Sequence, residues 1–352
     1  MDKLAYIVRR ILLIIPTFVG ITVVCFCLTR FLPGGPVEMS LMRMRGVGAA
    51  GGEVAAQASG QTGMAGISEE YRKEIEKQFG FDKPIVEQYY NWLVVNRMGL
   101  RLSSYQYTNK SAWQLIRGRI PISIWFGLTS FVLTYLICIP LGIAKALRHR
   151  QAFDAASSLV VFVAYAIPSF ALGMALKMAL CGTVQGLWDV FPLGGVNSEF
   201  AAEPAFWTWF WDRAWHMALP VACYVASGFA MLTLLMKNSL LDQISSDYVR
   251  TVIAKGGTRR RAIWCHAFRN ALVPIATGFG SMMSIMFVGS IIVETIFEIP
   301  GMGRLSWDAL IGRDYAVFLA LLALTSSFML VGNLISDILY MAIDPRIDFS
   351  RK

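Results

Sequence analysis

The chain has 352 residues, 56% hydrophobic and 16% charged, with a mean hydropathy of +0.53; that apolar content exceeds what a soluble domain uses for its core and makes lipid the expected solvent. The net charge of +9 does not signal nucleic acid, because no nucleic-acid-binding motif accompanies it and basic residues beside apolar runs mark cytoplasmic loops facing anionic headgroups. Cys25, Cys27, Cys138, Cys181, Cys223 and Cys265 form no CxxC, and His149, His216 and His266 stand far apart, so the thiols read as small apolar side chains rather than a disulfide framework or metal site.

The first apolar run, from Ile11 to Leu32, follows Lys3, Arg9 and Arg10. It is longer than a signal-peptide core and has no small-x-small cleavage site after it, so it reads as a retained signal-anchor span. A spanning helix needs about 20 mostly apolar residues at about 1.5 Å each. Six stretches qualify: 10 to 32, 121 to 146, 156 to 181, 216 to 237, 273 to 297 and 317 to 341. Backbone groups must be satisfied within lipid, and no alternating barrel pattern competes, so the expected class is an all-α membrane protein.

Between the first two spans, segment 33 to 120 opens with "PGGP" and passes through a Gly/Ala-rich tract from Gly46 to Gly66. That tract lacks the apolar mass to pack. The stretch after Ser68 reads as helical, with Glu69 and Glu70 near its start and Gly80 near its end, as a small external cap. The second outer segment, 182 to 215, holds Trp188, Trp207, Trp209, Trp211 and Trp215. These either anchor it at headgroup level or stack on a ligand, and the composition is compatible with both. Lys177, near the outer end of the third span, is placed to snorkel, and Glu294 lies near the outer end of the fifth; together they form no proton-relay chain.

Orientation follows from basic residues near span ends. With the N-terminus in the cytoplasm, the inner segments hold sixteen of the 32 Lys and Arg, while the short outer loops hold Arg213, Arg304 and Arg313. Both termini are therefore expected in the cytoplasm. The organisation is an anchor span (1–32), an outer segment (33–120), a five-helix core (121–341) and a tail (342–352), with the core including a cytoplasmic loop, 238–272.

That loop carries "YVRTVIAKGGTRRRAIWCHAFRN", residues 248–270, with six Lys or Arg and no acid. Asp247 to Lys255 suits a short helix with Ser245, Ser246 or Asp247 as N-cap, and Gly256 suits the left-handed position that ends it. Thr258 then caps a second helix, in which Ile263, Trp264, Ala267, Phe268, Ala271 and Leu272 share an apolar face. Arg259, Arg260 and Arg261 sit where the helix dipole disfavours positive charge. Either membrane-surface attraction or docking to a cytoplasmic partner would account for them.

Here the sequence resembles the permease subunits of ABC importers in the dipeptide and oligopeptide branch, whose cytoplasmic EAA-type loop reads approximately "DYVRTARAKGLS" followed by "HALRNALLP". Asp247, Tyr248, Val249, Arg250, Thr251, Ala254, Lys255 and Gly256 match its first part, and His266, Ala267, Arg269, Asn270, Ala271, Leu272 and Pro274 its second. Val252 and Ile253 replace the usual Ala-Arg, and Gly257 replaces a usual apolar residue; the turn is left intact. "RRILLIIPT", "FGFDKPIVEQYYNWL", "IPLGIAKAL", "AYAIPSF", "WHMALPV", "ETIFEIPGMGRL", "RDY" and "DPRIDF" extend the resemblance along nearly the whole chain. The Gly/Ala insertion, "MKNSLLD" and "DPRIDF" look most like Yej-type permeases, linked to uptake of peptides and the peptide-nucleotide antibiotic microcin C.

The resemblance implies a type I ABC importer (MetI-like) permease fold of six transmembrane helices, multi-pass in the bacterial inner membrane. It implies a second homologous permease subunit, a cytoplasmic ABC ATPase that uses ATP and magnesium, a periplasmic solute-binding protein and a peptide substrate. The coupling residues it implies are Asp247, Tyr248, Val249, Arg250, Thr251, Ala254, Lys255, Gly256 and Gly257. No substrate-binding residue is indicated.

No GxxxxGK[ST] loop, serine elbow, HExxH or metal cluster appears, so no catalytic, cofactor or metal residue is expected in this chain and phosphate chemistry falls to a partner. The glycines of "PGMG" read as a turn rather than a phosphate loop. An ion-coupled secondary transporter is the alternative, and it would need polar groups near the bilayer midplane. A membrane enzyme would need a reactive constellation that the sequence lacks.

Overall fold

The computed structural model describes residues 3–31, 82–107, 109–183, 188–198, 205–278 and 289–343. The Gly/Ala tract, the helix expected after Ser68 and the "DPRIDF" tail lie outside the described residues. Among those described, the chain is helical, with two isolated β-bridges, Ser103 with Ser111 and Cys181 with Asp189. Four helices are individually long and apolar enough to cross a membrane, or five when one bent pair counts as a span.

Helix α1 runs Lys3–Phe31 and α2 Ile85–Tyr90, the latter continuing into a π-helical stretch, Asn91–Val95. Helix α3, Ala112–Leu147, starts well before the expected second span. The cause is a reciprocal cap in "SAWQ": Gln114 N donates to Ser111 Oγ at 3.3 Å and Ser111 N to Gln114 Oε1 at 3.0 Å. This is the S-x-x-Q capping box, satisfying two N-terminal donors at once. Pro121 and Pro140 then lie inside the helix, as membrane helices tolerate.

The third expected span is broken. Helices α4 (Ala152–Ala166) and α5 (Ser169–Leu180) meet at 92°. Ile167 precedes Pro168 and is extended, at φ −83 and ψ 117, because the proline ring excludes the helical region from the residue before it. "AIPSF" is thus a corner rather than a continuous span.

Helix α6, Phe206–Ile244, takes in the last ten residues of the tryptophan-rich segment 182–215 and overruns the fourth expected span at both ends. Its 39 residues extend about 58 Å, nearly twice a hydrocarbon core of about 30 Å. Trp207, Trp211 and Trp215 form an exposed stripe, while Trp209 turns in against Trp125, with ring centroids 5.9 Å apart. A stripe at four-residue intervals favours the anchoring reading.

Helices α7 to α9 form the segment 247–277 considered below. Of the fifth expected span, 273–297, residues 279–288 lie outside the described residues, and its last part holds α10 (Ile291–Ile296). Helices α11 (Met302–Ile311) and α12 (Tyr315–Ile343) follow.

The chain divides into two compact units, 1–14 with 118–305 and 327–352, and 15–117 with 306–326. In the second, Phe26, Trp92, Leu319 and Ala323 make the core, and Thr22 Oγ1 hydrogen-bonds Tyr89 Oη at 2.8 Å. Asp314, of the "RDY" triplet, caps α12 through Val317 N at 3.3 Å and accepts from the Ser104 hydroxyl and from Gln106 N. In the first unit, Arg10 pairs with Asp337 at 3.2 Å, joining the beginning of α1 to the far end of α12.

Two apolar clusters organise the first unit. One gathers Phe126, Met217, Leu219, Val221, Cys223, Val293, Phe297 and Ile299. Beside it, Lys177 does not snorkel: its Nζ donates to Ile296 O at 2.7 Å and pairs with Glu298 at 3.2 Å. Glu294 is fully buried and accepts from Ser290 N at 3.2 Å, Arg304 N at 2.7 Å and Gly303 N. A Cβ at Gly301 would lie 2.5 Å from this carboxylate and one at Gly289 closer still. "PGMG" is therefore a turn that wraps a carboxyl group supplied by the chain itself.

Candidate functional site

The second apolar cluster supports the basic loop. It joins Ile143 and Ala146 of α3, Met236 and Leu240 of α6, and Val249, Ala262, Ala267, Ala271 and Ile275. Helices α3 and α6 touch closely here, since a Cβ on Gly142 would lie 2.7 Å from Met236 Cβ. The C-terminal end of α6 is thus a stiff stalk, and the loop begins where it stops.

Helix α7 spans Asp247–Ala254. Ser246 occupies the N-cap position, but its hydroxyl donates back to Gln243 O rather than accepting from the new helix. The chain then ends α7 by two reversed bonds, Gly256 N to Ile253 O and Gly257 N to Val252 O, both 3.0 Å. These are the two bonds of a Schellman turn, with Gly256 in its left-handed position at φ +86. Val252 Cγ1 stands 2.9 Å from where a Gly257 Cβ would lie, so valine at 252 goes with the absence of a side chain at 257.

Of the nine residues the sequence singles out, Val249 is buried, at 2% exposure, and Gly257 is half-buried. Asp247, Tyr248, Arg250, Thr251, Ala254, Lys255 and Gly256 are exposed. Val249 is therefore the plug that seats α7 in the cluster, and the other side chains form the outward face. Tyr248 sits at the rim: its Oη donates to Gln243 Oε1 at 2.7 Å and accepts from Asn270 Nδ2 at 3.1 Å. That bridge ties the end of α6, the start of α7 and the returning helix. Arg250 and Asp247 approach to 3.7 Å while both remain largely exposed, a pairing worth little by itself.

The returning helix, α8, is composite: Arg259–Arg261, a π-helical stretch Ala262–Ala267, then Phe268–Ala271. Helix α9, Val273–Thr277, follows. Thr258 Oγ1 accepts from Arg261 N at 3.3 Å, the cap expected of it. Ile263, Ala267 and Ala271 are buried, with Phe268 half-buried, but Trp264 is 45% exposed and rests on Phe268 with ring centroids 5.5 Å apart. A wider helical turn rotates the face relative to a 3.6-residue period, which is why Trp264 leaves the expected stripe. Arg259, Arg260 and Arg261 are all exposed, and no ion-pair partner for them occurs among the described residues. Ser239 Oγ donates to Ala271 O at 2.9 Å and locks α8 to α6.

Among the described residues, the arrangement contains no nucleophile–base pair. What it presents is a short helix with one face plugged into the bundle and the other open, held at both ends by hydrogen bonds. Lys145 and Lys237, which the sequence counted only among the basic residues of the inner segments, are brought together with Asp154 next to this stalk; a pairing between residues 83 apart, Asp154 with Lys237, leaves no local sequence pattern.

Comparison with known proteins bears on this geometry. The family described as binding-protein-dependent transport system inner membrane component matches residues 138–349. The peptidoglycan transport system permease protein YejB of Agrobacterium fabrum is 37% identical over 363 residues, covering 99% of both chains. The inner membrane ABC transporter permease protein YejB of Escherichia coli O157:H7 is also 37% identical, covering 98% of this chain and 99% of its own. The oligopeptide transport system permease protein AppB of Bacillus subtilis is 33% identical over 98% of this chain and 99% of its own. None of these similarities supports the ion-coupled alternative.

Proposed function

The chain belongs to the binding-protein-dependent transport system inner membrane components, and on that premise we propose that α7 is the part through which an ATPase moves it. The chain is an inner-membrane permease subunit of a peptide ABC transport system. Its work is transport, and ATP hydrolysis falls to a separate cytoplasmic subunit. A second homologous permease completes the pathway, and a periplasmic solute-binding protein delivers the cargo.

One observation carries this reading: α7 buries Val249 and exposes Asp247, Tyr248, Arg250, Thr251 and Ala254, with Lys255 exposed at its C-cap. A helix of eight residues is too short to hold its shape alone. Here the buried valine, the Tyr248 bridge and the Schellman turn pre-form it, so little ordering is left for a partner to impose. Closure of an ATPase pair around its nucleotides would displace α7 and, through the rigid stalk of α6, rock the spans.

Both termini lie in the cytoplasm in this reading. The Arg10–Asp337 pair supports it by holding the start of α1 beside the end of α12, and the basic residues of 238–272 support it through their bias to the cytoplasmic side. The names of the relatives divide between peptidoglycan and oligopeptide transport, whose shared chemistry is a short peptide. Microcin C-like conjugates fall within the same class of cargo.

Affinity purification of the tagged full-length chain from its native membrane is expected to bring down an ABC ATPase and a second permease. The reconstituted complex is expected to take up short peptides only with ATP and binding protein present. Uptake by the purified single chain, or uptake driven by an ion gradient without ATP, would overturn the proposal.

A further inference from the structure

Helix α4 packs along α6 but buries few side chains of its own. Its buried residues are Asp154 and Val161, and it contributes no buried residue to the apolar cluster joining α3, α6, α7 and α8. It also lies between two abrupt changes of direction, Arg150 at φ +65 before it and the 92° corner after it. Its inner end is held instead by charge. Lys237 of α6 donates to both carboxylate oxygens of Asp154, at 2.7 and 2.9 Å.

Lys145, in the last turn of α3, is completely buried and completes the cluster. Its ammonium group donates to Ser158 Oγ at 2.7 Å, Ser157 Oγ at 2.9 Å and Asp154 O at 3.1 Å, and lies 3.3 Å from Asp154 Oδ1. Arg150 N and His149 Nδ1 each reach Asp154 Oδ2 at 3.3 Å. One carboxylate thus sits between two lysines from different helices. Burying such charges costs more than packing apolar side chains of the same volume, so stability alone is a weak reason for them. What they add to the packing of α4 along α6 is a directional, register-specific contact.

We infer that Asp154 and Lys237 form the joint that makes α4 follow α6 when the ATPase-driven displacement of α7 arrives. Lys145 holds the carboxylate of Asp154 in place, and the two changes of direction let α4 move as a lever. Severing the joint leaves Val249 and the apolar cluster intact. The permease then still engages its ATPase but converts its stroke poorly. Asp154 and Lys237 act as positioning residues, and the inference rests on the reading of α7 as the ATPase contact.

Lys237→Met removes the joint while leaving Lys145 paired with Asp154. In the reconstituted full complex, assembly with the ATPase and ATP hydrolysis are expected to persist, while peptide taken up per ATP falls about tenfold, within the range of ordinary coupling energies. Lys237→Arg is expected to restore most of it. Coupling by Lys237→Met within twofold of the parent would overturn the inference.

A second measurement avoids that substitution. With spin labels at the exposed positions Ala156 and Asp242, the α4–α6 distance is expected to stay constant on trapping with ATP while α6 moves relative to α12. Separation of α4 from α6 would overturn the inference. Loss of ATPase binding by the parent complex would instead overturn the reading of α7, so the two failures are distinguishable.

Discussion

Gly256→Val is expected to abolish peptide-supported growth while leaving the chain inserted in the membrane at its normal level. Gly256 has φ +86 and open space around the position of a Cβ, so the effect is one of backbone conformation and not of crowding. A β-branched residue is strained there by about 1–3 kcal/mol. At about 2 kcal/mol the ratio of closed to open turn falls about thirtyfold, which weakens the bonds from Gly256 N and Gly257 N. Helix α7 then frays from the end that a partner would grip.

Gly256→Asn is the control, because asparagine enters the left-handed region at modest cost. It is expected to retain most uptake. If valine and glycine behave alike at this position in an uptake assay, the turn has no part in coupling.

Glu294→Ala is expected to give the largest loss of stability. The carboxylate of Glu294 accepts from Ser290 N, Gly303 N and Arg304 N in a fully buried position. Truncation orphans those donors at about 1–3 kcal/mol each. It also empties the space that Gly289, Gly301 and Gly303 leave open around the side chain. The expected result is a lower level of protein in the membrane and rapid cleavage of the segment near residues 289–304 by added protease. Glu294→Gln keeps the shape and one good acceptor, so it is expected to fall between the parent and alanine. Parent-like protease resistance of the alanine variant would show that the carboxylate does not hold this turn.

The two predictions also show what was legible in the sequence. Gly256 and Thr258 act by strictly local rules, a left-handed helix end and a hydroxyl cap, and both are found where those rules place them. Long apolar runs likewise located α1, α3, α6 and α12. The capping box at Ser111 and Gln114 was equally local, and it shows why α3 begins at Ala112. The Ile167–Pro168 corner was signalled by proline, but continuous hydropathy masked it.

What escaped the sequence was long-range. Lys145, Asp154 and Lys237 lie on three helices, and only packing reveals that one carboxylate serves both lysines. Glu294 meets its donors through a turn whose glycines have no meaning until the carboxylate is placed among them. Val249 looked like one more contact residue because pattern matching does not distinguish the plug from the surface it presents. Trp264 left its expected face because a π-helical turn breaks the 3.6-residue period on which that expectation rested.

The decisive measurement is cysteine cross-linking in the assembled, membrane-embedded complex, with the exposed Cys265 first replaced by serine. Thr251→Cys and Arg250→Cys, on the outward face of α7, are expected to cross-link to the ATPase, with a yield that changes between nucleotide-free and ATP-trapped states. Val249→Cys, facing the bundle, is expected to give none. Absence of a cross-link from positions 250 and 251, or an equal yield from 249, would contradict the assignment of α7 as the point where ATP hydrolysis becomes movement of the permease.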